Sequence, residues 1–341
     1  MAGEESGGPP FAAIKVTLAG ADLTDKIAPR LIKLQLSEKR GEEADSLELE
    51  LHDHDNLLDI PPEGAELEVS IGWQRGPGVT IGLVDKGKFK VDEVTWGGPP
   101  DVLTIRARSA DFTAGFRVRK EKKWTGTTVG AVLREIAGSN SLSASIDGEL
   151  AGKELPVLAQ DQRSDAAMLR FLGRRFDAVA TIKGKTLIFS PIGKGQTASG
   201  KALPAFNVTR QSGDRYQWSR AAREEYGGVE ARWHDKDKSK RTTVKAGAGG
   251  KGTPKRLKRT YHTEAEAKAA AEAEHKRVQR AGASFDLTLA YGDAALYPEQ
   301  KGKLQGFKPS IDETDWLVSE VTHTLDGSGG FRTGLKLEKA A

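Results

Sequence analysis

Ser46–Trp73 reads SLELELHDHDNLLDIPPEGAELEVSIGW, and the fold turns on how that stretch is read. Leu47, Leu49 and Leu51 alternate with Glu48, Glu50 and His52. A period of two puts the leucines on one face of an extended chain and the charges on the other. Pro61, Pro62 and Gly64 break the run and turn it. Leu67, Val69 and Ile71 then resume the alternation against Glu66, Glu68 and Ser70. Two half-buried strands joined by a structured loop follow. Burying such side chains stabilises by roughly 1.5–3 kcal/mol each before conformational entropy is set against it. The pattern is that of a β-barrel or sandwich with one wet face.

The same alternation spreads outward. Ile14, Val16 and Leu18 alternate, as do Ile32, Leu34 and Leu36, Phe89 and Val91, and Leu103, Ile105 and Ala107. Residues 1–118 therefore read as an N-terminal antiparallel β domain, behind a leader, MAGEESGGPP, expected to be disordered. After Trp124 the period changes. Val129, Val132, Leu133 and Ile136 fall on one helical face, with Thr127 or Thr128 as cap and Gly138 as stop. Ser164 caps a second helix carrying Met168, Leu169, Leu172 and Phe176. With short strands around Lys183-Gly184-Lys185, residues 119–200 read as a small α/β domain.

Residues 201–341 read as a second β domain with an interruption. Between Lys236 and Arg259 there are ten Lys or Arg and one acid, Asp237, with no apolar period, so 236–259 is expected to be a long mobile loop. Its cations Lys236, Lys238, Lys240, Arg241, Lys255, Arg256, Lys258 and Arg259 are candidates for contact with a protein partner or with DNA phosphates. A helix follows over 263–281, where Thr263 and Glu266 make the S/T-x-x-E capping pattern and acids precede bases along it. The strand Val318-Ser-Glu-Val-Thr-His323 repeats the V-x-E-V-T of Val91–Trp96, each before a Gly-rich turn and a final strand. That repeat points to two copies of one barrel.

Composition narrows the function classes. The 341 residues carry 52 basic and 48 acidic side chains, a net charge of +4, so a nucleic-acid reading has to rest on local clustering. Cysteine is absent, which excludes disulfides, thiol catalysis and thiolate metal sites. No apolar run is long enough for a membrane anchor. His52, Asp53, His54 and Asp55 are the obvious metal candidate, but no second cluster supports them. They read better as a strand-end turn whose Asp and Asn side chains bond local backbone. No catalytic pair, cofactor loop or metal site emerges, so catalytic, cofactor and metal residues are expected to be none. Arg106 and Arg108 alternate on one face with Arg117 and Arg119 beyond them. That face is the wet side of a barrel, an electropositive lumen or an interface with an acidic protein partner. Trp316 is a core tryptophan or an interface anchor.

The order strand, HDHDN, Pro-Pro-x-Gly, strand ending in Gly-Trp resembles the late control protein D family. This is the tail hub of contractile phages, related to the hub region of VgrG spike proteins. Further matching pieces are Phe89-x-Val-Asp-Glu-Val94, Ser109-Ala-Asp111, Trp124-Thr-Gly-Thr-Thr-Val129, Ser164-Asp165, Gly306-Phe-Lys-Pro-x-Ile311 and Trp316–Leu325. The resemblance implies a mainly β chain in which two tube-like antiparallel β-barrels flank an α/β, LysM-like domain. It implies a homotrimer that imitates six-fold symmetry and joins a hexameric tail tube to a trimeric central spike. Tape measure and other baseplate proteins are implied as neighbours, with DNA passing through the ring without sequence-specific binding. The expected location is the virion's tail baseplate, or a tail-like particle, assembled in the bacterial host cytoplasm. A tail-tip peptidoglycan hydrolase or glycan-binding module is the alternative reading. It calls for a carboxylate pair or a metal in a cleft.

Overall fold

The computed structural model describes residues 8–41, 44–109, 114–197, 199–220, 226–235, 240–247, 252–327 and 330–341. The first part of the chain holds β1 (Phe11–Leu18), β2 (Ala21–Asp22), α1 (Thr24–Ile27), β3 (Leu31–Lys39), β4 (Ser46–His52), β5 (Glu66–Arg75), β6 (Gly82–Gly97) and β7 (Val102–Ser109). The middle holds α2 (Ala114–Arg117), β8 (Arg119–Thr128), α3 (Val129–Ser139), β9 (Ser143–Ile146), α4 (Gly148–Ala151), β10 (Glu154–Ser164), α5 (Asp165–Phe176), β11 (Ala178–Lys183) and β12 (Thr186–Pro191). The last part holds β13 (Phe206–Thr209), β14 (Gly213–Arg220), β15 (Val229–Asp235), β16 (Lys240–Ala246), β17 (Lys255–Tyr261), α6 (Glu264–Ala281), β18 (Ala283–Leu289), β19 (Lys301–Gln305), α7 (Pro309–Asp312), β20 (Trp316–Asp326) and β21 (Gly330–Lys339).

The opening stretch forms β4 and β5, and its leucines do what alternation requires: Leu47, Leu49, Leu51, Leu67, Val69 and Ile71 are all buried. They share a core with Leu34, Leu36, Phe89 and Ile105, and that core also takes in Ala294 and Phe331 from the other end of the chain. Helix α3 starts where Thr128 Oγ1 accepts the Ala131 N–H, and α5 starts where Ser164 Oγ accepts the Ala167 N–H. Gly138 lies inside α3, which runs on to Ser139.

The first and last β portions repeat one another in topology. The first set is hydrogen-bonded in the order β3-β4-β7-β6-β5-β1, the last in the order β14-β18-β21-β20-β19-β13. Taken in chain order, each strand of one set has its counterpart at the same place in the other. Two of the irregularities coincide as well. The β6–β7 register slips between Val91 and Glu93, and the β20–β21 register between Val318 and Glu320. Register also slips between Leu31 and Lys33 in β3 and between Gly213 and Arg215 in β14. A bulge inserts one residue and bends its strand, so bulges at matching places give both sheets the same bend. The V-x-E-V-T repeat is the sequence trace of the first of these two pairs. One strand differs: β1 runs antiparallel to β5, whereas β13 runs parallel to β19.

One expectation is narrowed and one corrected. Among the described residues the two β portions are joined in one sheet, and neither is seen closed as a barrel of its own. Strand β20 pairs antiparallel with β3, from Glu320↔Lys39 to Asp326↔Lys33, so both sets belong to one sheet, and among the described residues its strand order is an open path. Nor is the described part of 236–259 a long mobile loop. Residues 240–246 and 255–261 are strands on either side of β15, antiparallel and parallel to it respectively. Val244, Leu257 and Tyr261 pack with Ala267, Ala270 and Ala271 of α6. A few apolar side chains against a small-residue helix suffice to order a strand pair whose other face is Lys and Arg. Helix α6 itself is capped as read, with Thr263 Oγ1 accepting the Glu266 N–H.

Candidate functional site

With no cleft chemistry in the sequence, the functional surface has to be sought where strands meet. The meeting of the two sets holds a buried polar cluster. Glu38 on β3 and His323 on β20 lie side by side there, and Lys86 comes in from β6. Lys86 Nζ donates to Glu38 Oε2 at 2.8 Å, and His323 Nε2 lies 3.4 Å from the same oxygen. His323 Nδ1 meets Thr333 Oγ1 at 2.9 Å, and Thr333 Oγ1 accepts the Asp293 N–H at 3.0 Å. The Lys86 ammonium sits 3.8 Å from the centre of the Tyr297 ring. Burial pushes the Glu38 carboxyl up, but His323 and Lys86 outweigh it and hold it below the usual range. Burial pulls both Lys86 and His323 down, with Glu38 opposing in each case. The arrangement is one ion pair with a neutral imidazole beside it, and it fixes how the two sets meet.

A second charged network ties the middle of the chain to this sheet. Arg40 Nη1 reaches Glu338 Oε1 at 2.6 Å, and Arg40 Nε reaches Glu299 at 2.7 Å. Arg280 of α6 joins Glu338 at 2.9 Å and donates to Asp177, the left-handed residue that ends α5, at 2.7 Å. Burial raises the Glu299 carboxyl despite Arg40 beside it.

The sheet face away from the apolar core carries charges of both signs in matched positions. Arg106 donates to Glu48 at 2.8 Å and to Glu93 at 3.0 Å. Arg108 pairs with Asp92 at 3.0 Å. In the other set Lys336, the counterpart of Arg106, pairs with Glu320, the counterpart of Glu93, at 2.9 Å. At these positions the face carries both signs, because Arg106, Arg108 and Lys336 each have an acid on the neighbouring strand.

The remaining sequence candidates fall in different places. Trp316 is buried, with its Nε1 donating to Ile311 O at 3.0 Å, and it occupies the place of Phe89 in the first set. Its role is core packing, so the interface reading is corrected. Lys240 and Arg241 lie on β16, and Lys255, Arg256, Lys258 and Arg259 on β17. Lys255 pairs with Glu274 at 2.7 Å and Arg256 with Glu230 at 3.1 Å, so two of the cations are engaged within the chain. Lys236 and Lys238 lie outside the described residues. Asp53 accepts the Leu58 N–H and the Trp96 Nε1–H, each at 3.0 Å, and Asp55 accepts from Arg30 at 2.6 Å. The Arg30 hydrogen bond holds the Asp55 carboxyl down at about 2. Among the described residues no group of three His, Asp or Glu is placed to hold a metal, and no helix is long and apolar enough to cross a membrane. Sequence reading missed the Glu38–Lys86–His323 cluster. Its one trace was charge at inward positions of otherwise apolar alternations, as at Glu38 after Leu34 and Leu36.

Comparison with known proteins concerns the chain as a whole. The family profile of the phage tail baseplate hub (GPD) matches residues 45–329. The probable baseplate hub protein of Escherichia phage P2 is 40% identical, over 94% of this chain and 91% of that protein. Its namesake in Escherichia phage 186 is 39% identical, over 96% and 92%. Among solved structures, the 43 kDa tail protein of prophage MuSo2 from Shewanella oneidensis matches with a TM-score of 0.68 over 96% of this chain and 98% of that one. At 10% identity that likeness is one of fold.

Proposed function

The chain belongs to the phage tail baseplate hub family, and from that premise we propose that three copies form a ring joining the tail tube to the central spike. As a baseplate hub protein it is a structural component of the virion's tail. The ring, its symmetry and its neighbours are our reading. One observation carries it: two strand sets with the same order and two matching bulges stand in one chain. Three such chains present six equivalent sets, so a three-fold object offers a six-fold face. One side of the ring meets the hexameric tube and the other the trimeric spike. The tape measure and other baseplate proteins are neighbours, and DNA passes through without being read.

In this reading each six-strand set is the unit that a tube-like barrel is built from. Residues 1–118 form one tube-like domain, 119–200 the LysM-like middle domain, and 201–341 the other tube-like domain with its own insert. The work done is rigid packing and symmetry matching, not turnover. Mass measurement of the full chain, alone and with the spike and tube proteins, tests the ring. A species of three times the 36.7 kDa chain supports it, and a monomer that ignores both partners sinks it.

A further inference from the structure

The small sheet β16-β15-β17 has one face on α6 and the other in water. Val229, Ala231, Val244 and Leu257 pack with Ala267, Ala270 and Ala271 of α6. Alternation then sends Glu230, Arg232 and His234 of β15 to the wet side, with Arg241, Thr243 and Lys245 of β16. The registers set these side chains in rows. Lys245, Glu230 and Arg256 form the first, Thr243, Arg232 and Thr260 the second, and Arg241 and His234 the third.

The first row is closed within the chain. Glu230 pairs with Lys245 and with Arg256, each at 3.1 Å. Hydrogen bonds from Lys245 and then Arg256 hold its carboxyl below the usual range, so it stays ionised and engaged. The second and third rows contain no acid. Among the described residues Glu230 is the one acid on this face, and Arg232 and Arg241 have no acidic partner. Arg241, His234, Thr243 and Thr260 are exposed, and Arg232 is half-buried. The wet face of the two strand sets differs, since Arg106, Arg108 and Lys336 each have an acid on a neighbouring strand. Like charges on adjacent strands repel, so a face that meets only water does not favour leaving two arginines together.

A register slip builds the second row. Between Glu230 and Arg232 the pairing of β15 with β17 shifts, so that residues 257–259 all lie opposite Ala231 and Thr260 comes level with Arg232. A bulge of this kind re-aims the side chains beside it. Here it places Arg232 between two threonines, with Lys258 exposed next to them.

We propose that this face docks an extended acidic segment of a partner protein, whose Asp or Glu side chains at alternate positions bind Arg232 and Arg241. Diagonal neighbours on adjacent strands stand ~7–8 Å apart and alternate side chains of an extended chain about 6.5–7 Å apart, so the two spacings match. A guanidinium holds a carboxylate through two parallel hydrogen bonds, and the threonine hydroxyls supply further donors beside Arg232. A nucleic-acid duplex suits the face poorly. It would lay phosphates across ionised Glu230, and Trp233 and Tyr261 face α6, where no base can stack on them. Docking here does not depend on the ring.

The test titrates the full-length chain into a labelled (Glu-Ser)6 peptide at low salt, read by fluorescence anisotropy. Saturable binding is expected, weakened roughly tenfold or more by Arg232→Gln/Arg241→Gln with melting unchanged, as for loss of two charge-assisted contacts. Arg106→Gln removes a cation that already has its acids, and is expected to bind as the unaltered chain does. An equal loss there would show a general field and overturn the site. The peptide (Glu-Ser-Ser-Ser)6 carries the same charge at the wrong spacing, and is expected to bind several-fold more weakly. Equal binding would overturn the alternate-position fit. A short DNA duplex is the third probe. If it binds at least as tightly as (Glu-Ser)6 and the double variant releases it, the face is a nucleic-acid site and the proposal is overturned. No saturable binding of (Glu-Ser)6, or undiminished binding by the double variant, overturns it as well.

Discussion

Glu38 serves two buried neighbours, so removing it leaves Lys86 without an acid in the interior. Breaking one side of a buried pair costs about 3–5 kcal/mol, more than most of its neighbours' individual packing. Glu38→Ala is expected to lose that much stability in urea unfolding. The double change Glu38→Leu/Lys86→Met, which removes both charges, is expected to lose much less. The cluster also sets an acid limit. His323 has a folded pKa below its ordinary 6.5, so as pH falls through 6.5 the unfolded chain takes up a proton that the folded chain refuses. Protonation then favours unfolding, and stability falls as pH falls. Glu38, also held below its ordinary 4.5, acts in the same direction at lower pH. Melting temperature should therefore drop between pH 7 and pH 5.5, and His323→Asn should flatten that window while leaving the loss below pH 4.5. Trp316 is the apolar counterpart of these residues. Trp316→Ala is expected to cost about 3–5 kcal/mol with no specific effect on assembly, as for a large core side chain.

Among the elements, legibility followed the contrast between faces. The alternation in β4 and β5 was plain because Leu on one side met Glu on the other. The capped helices α3, α5 and α6 were plain because Thr128, Ser164 and Thr263 each stood before a helical period. Strands β16 and β17 were hidden because Lys and Arg fill their outer positions and leave only Val244, Leu257 and Tyr261 to face α6. Partnering was hidden for a different reason. Alternation says which face is wet, not which strand lies alongside, and β3 and β20 are nearly the whole chain apart. The duplication was hard to see because the second copy carries an insert, β15 to α6, between the counterparts of two strands that follow closely in sequence in the first. Hydrogen exchange tests the corrected region. Amides of 240–246 and 255–261 that face β15 should be protected well above those of a loop. Tyr261→Ala should release both strands while leaving β18, β20 and β21 protected.

For the whole molecule, the decisive fact is that one sheet runs through both strand sets. Two barrels tethered by a linker would unfold independently, each with its own transition. A sheet continuous through β3 and β20, with a charged cluster buried at the join and Phe331 of one set packed in the core of the other, couples them. Opening either set exposes the join, so neither can open alone without also stranding Glu38 or His323. Calorimetry of the isolated chain should therefore show the two β portions melting in one transition, with calorimetric and van't Hoff enthalpies in agreement for that transition. The Arg280–Asp177 and Arg40–Glu338 contacts extend the same coupling to the middle of the chain. Glu38→Ala should split the transition, because the join then costs free energy to keep closed and each set retains its own core. Two well-separated transitions in the unaltered chain would mean that the sheet is continuous in geometry but not in energy. In that case any coupling between the two sets has to come from contacts outside this chain.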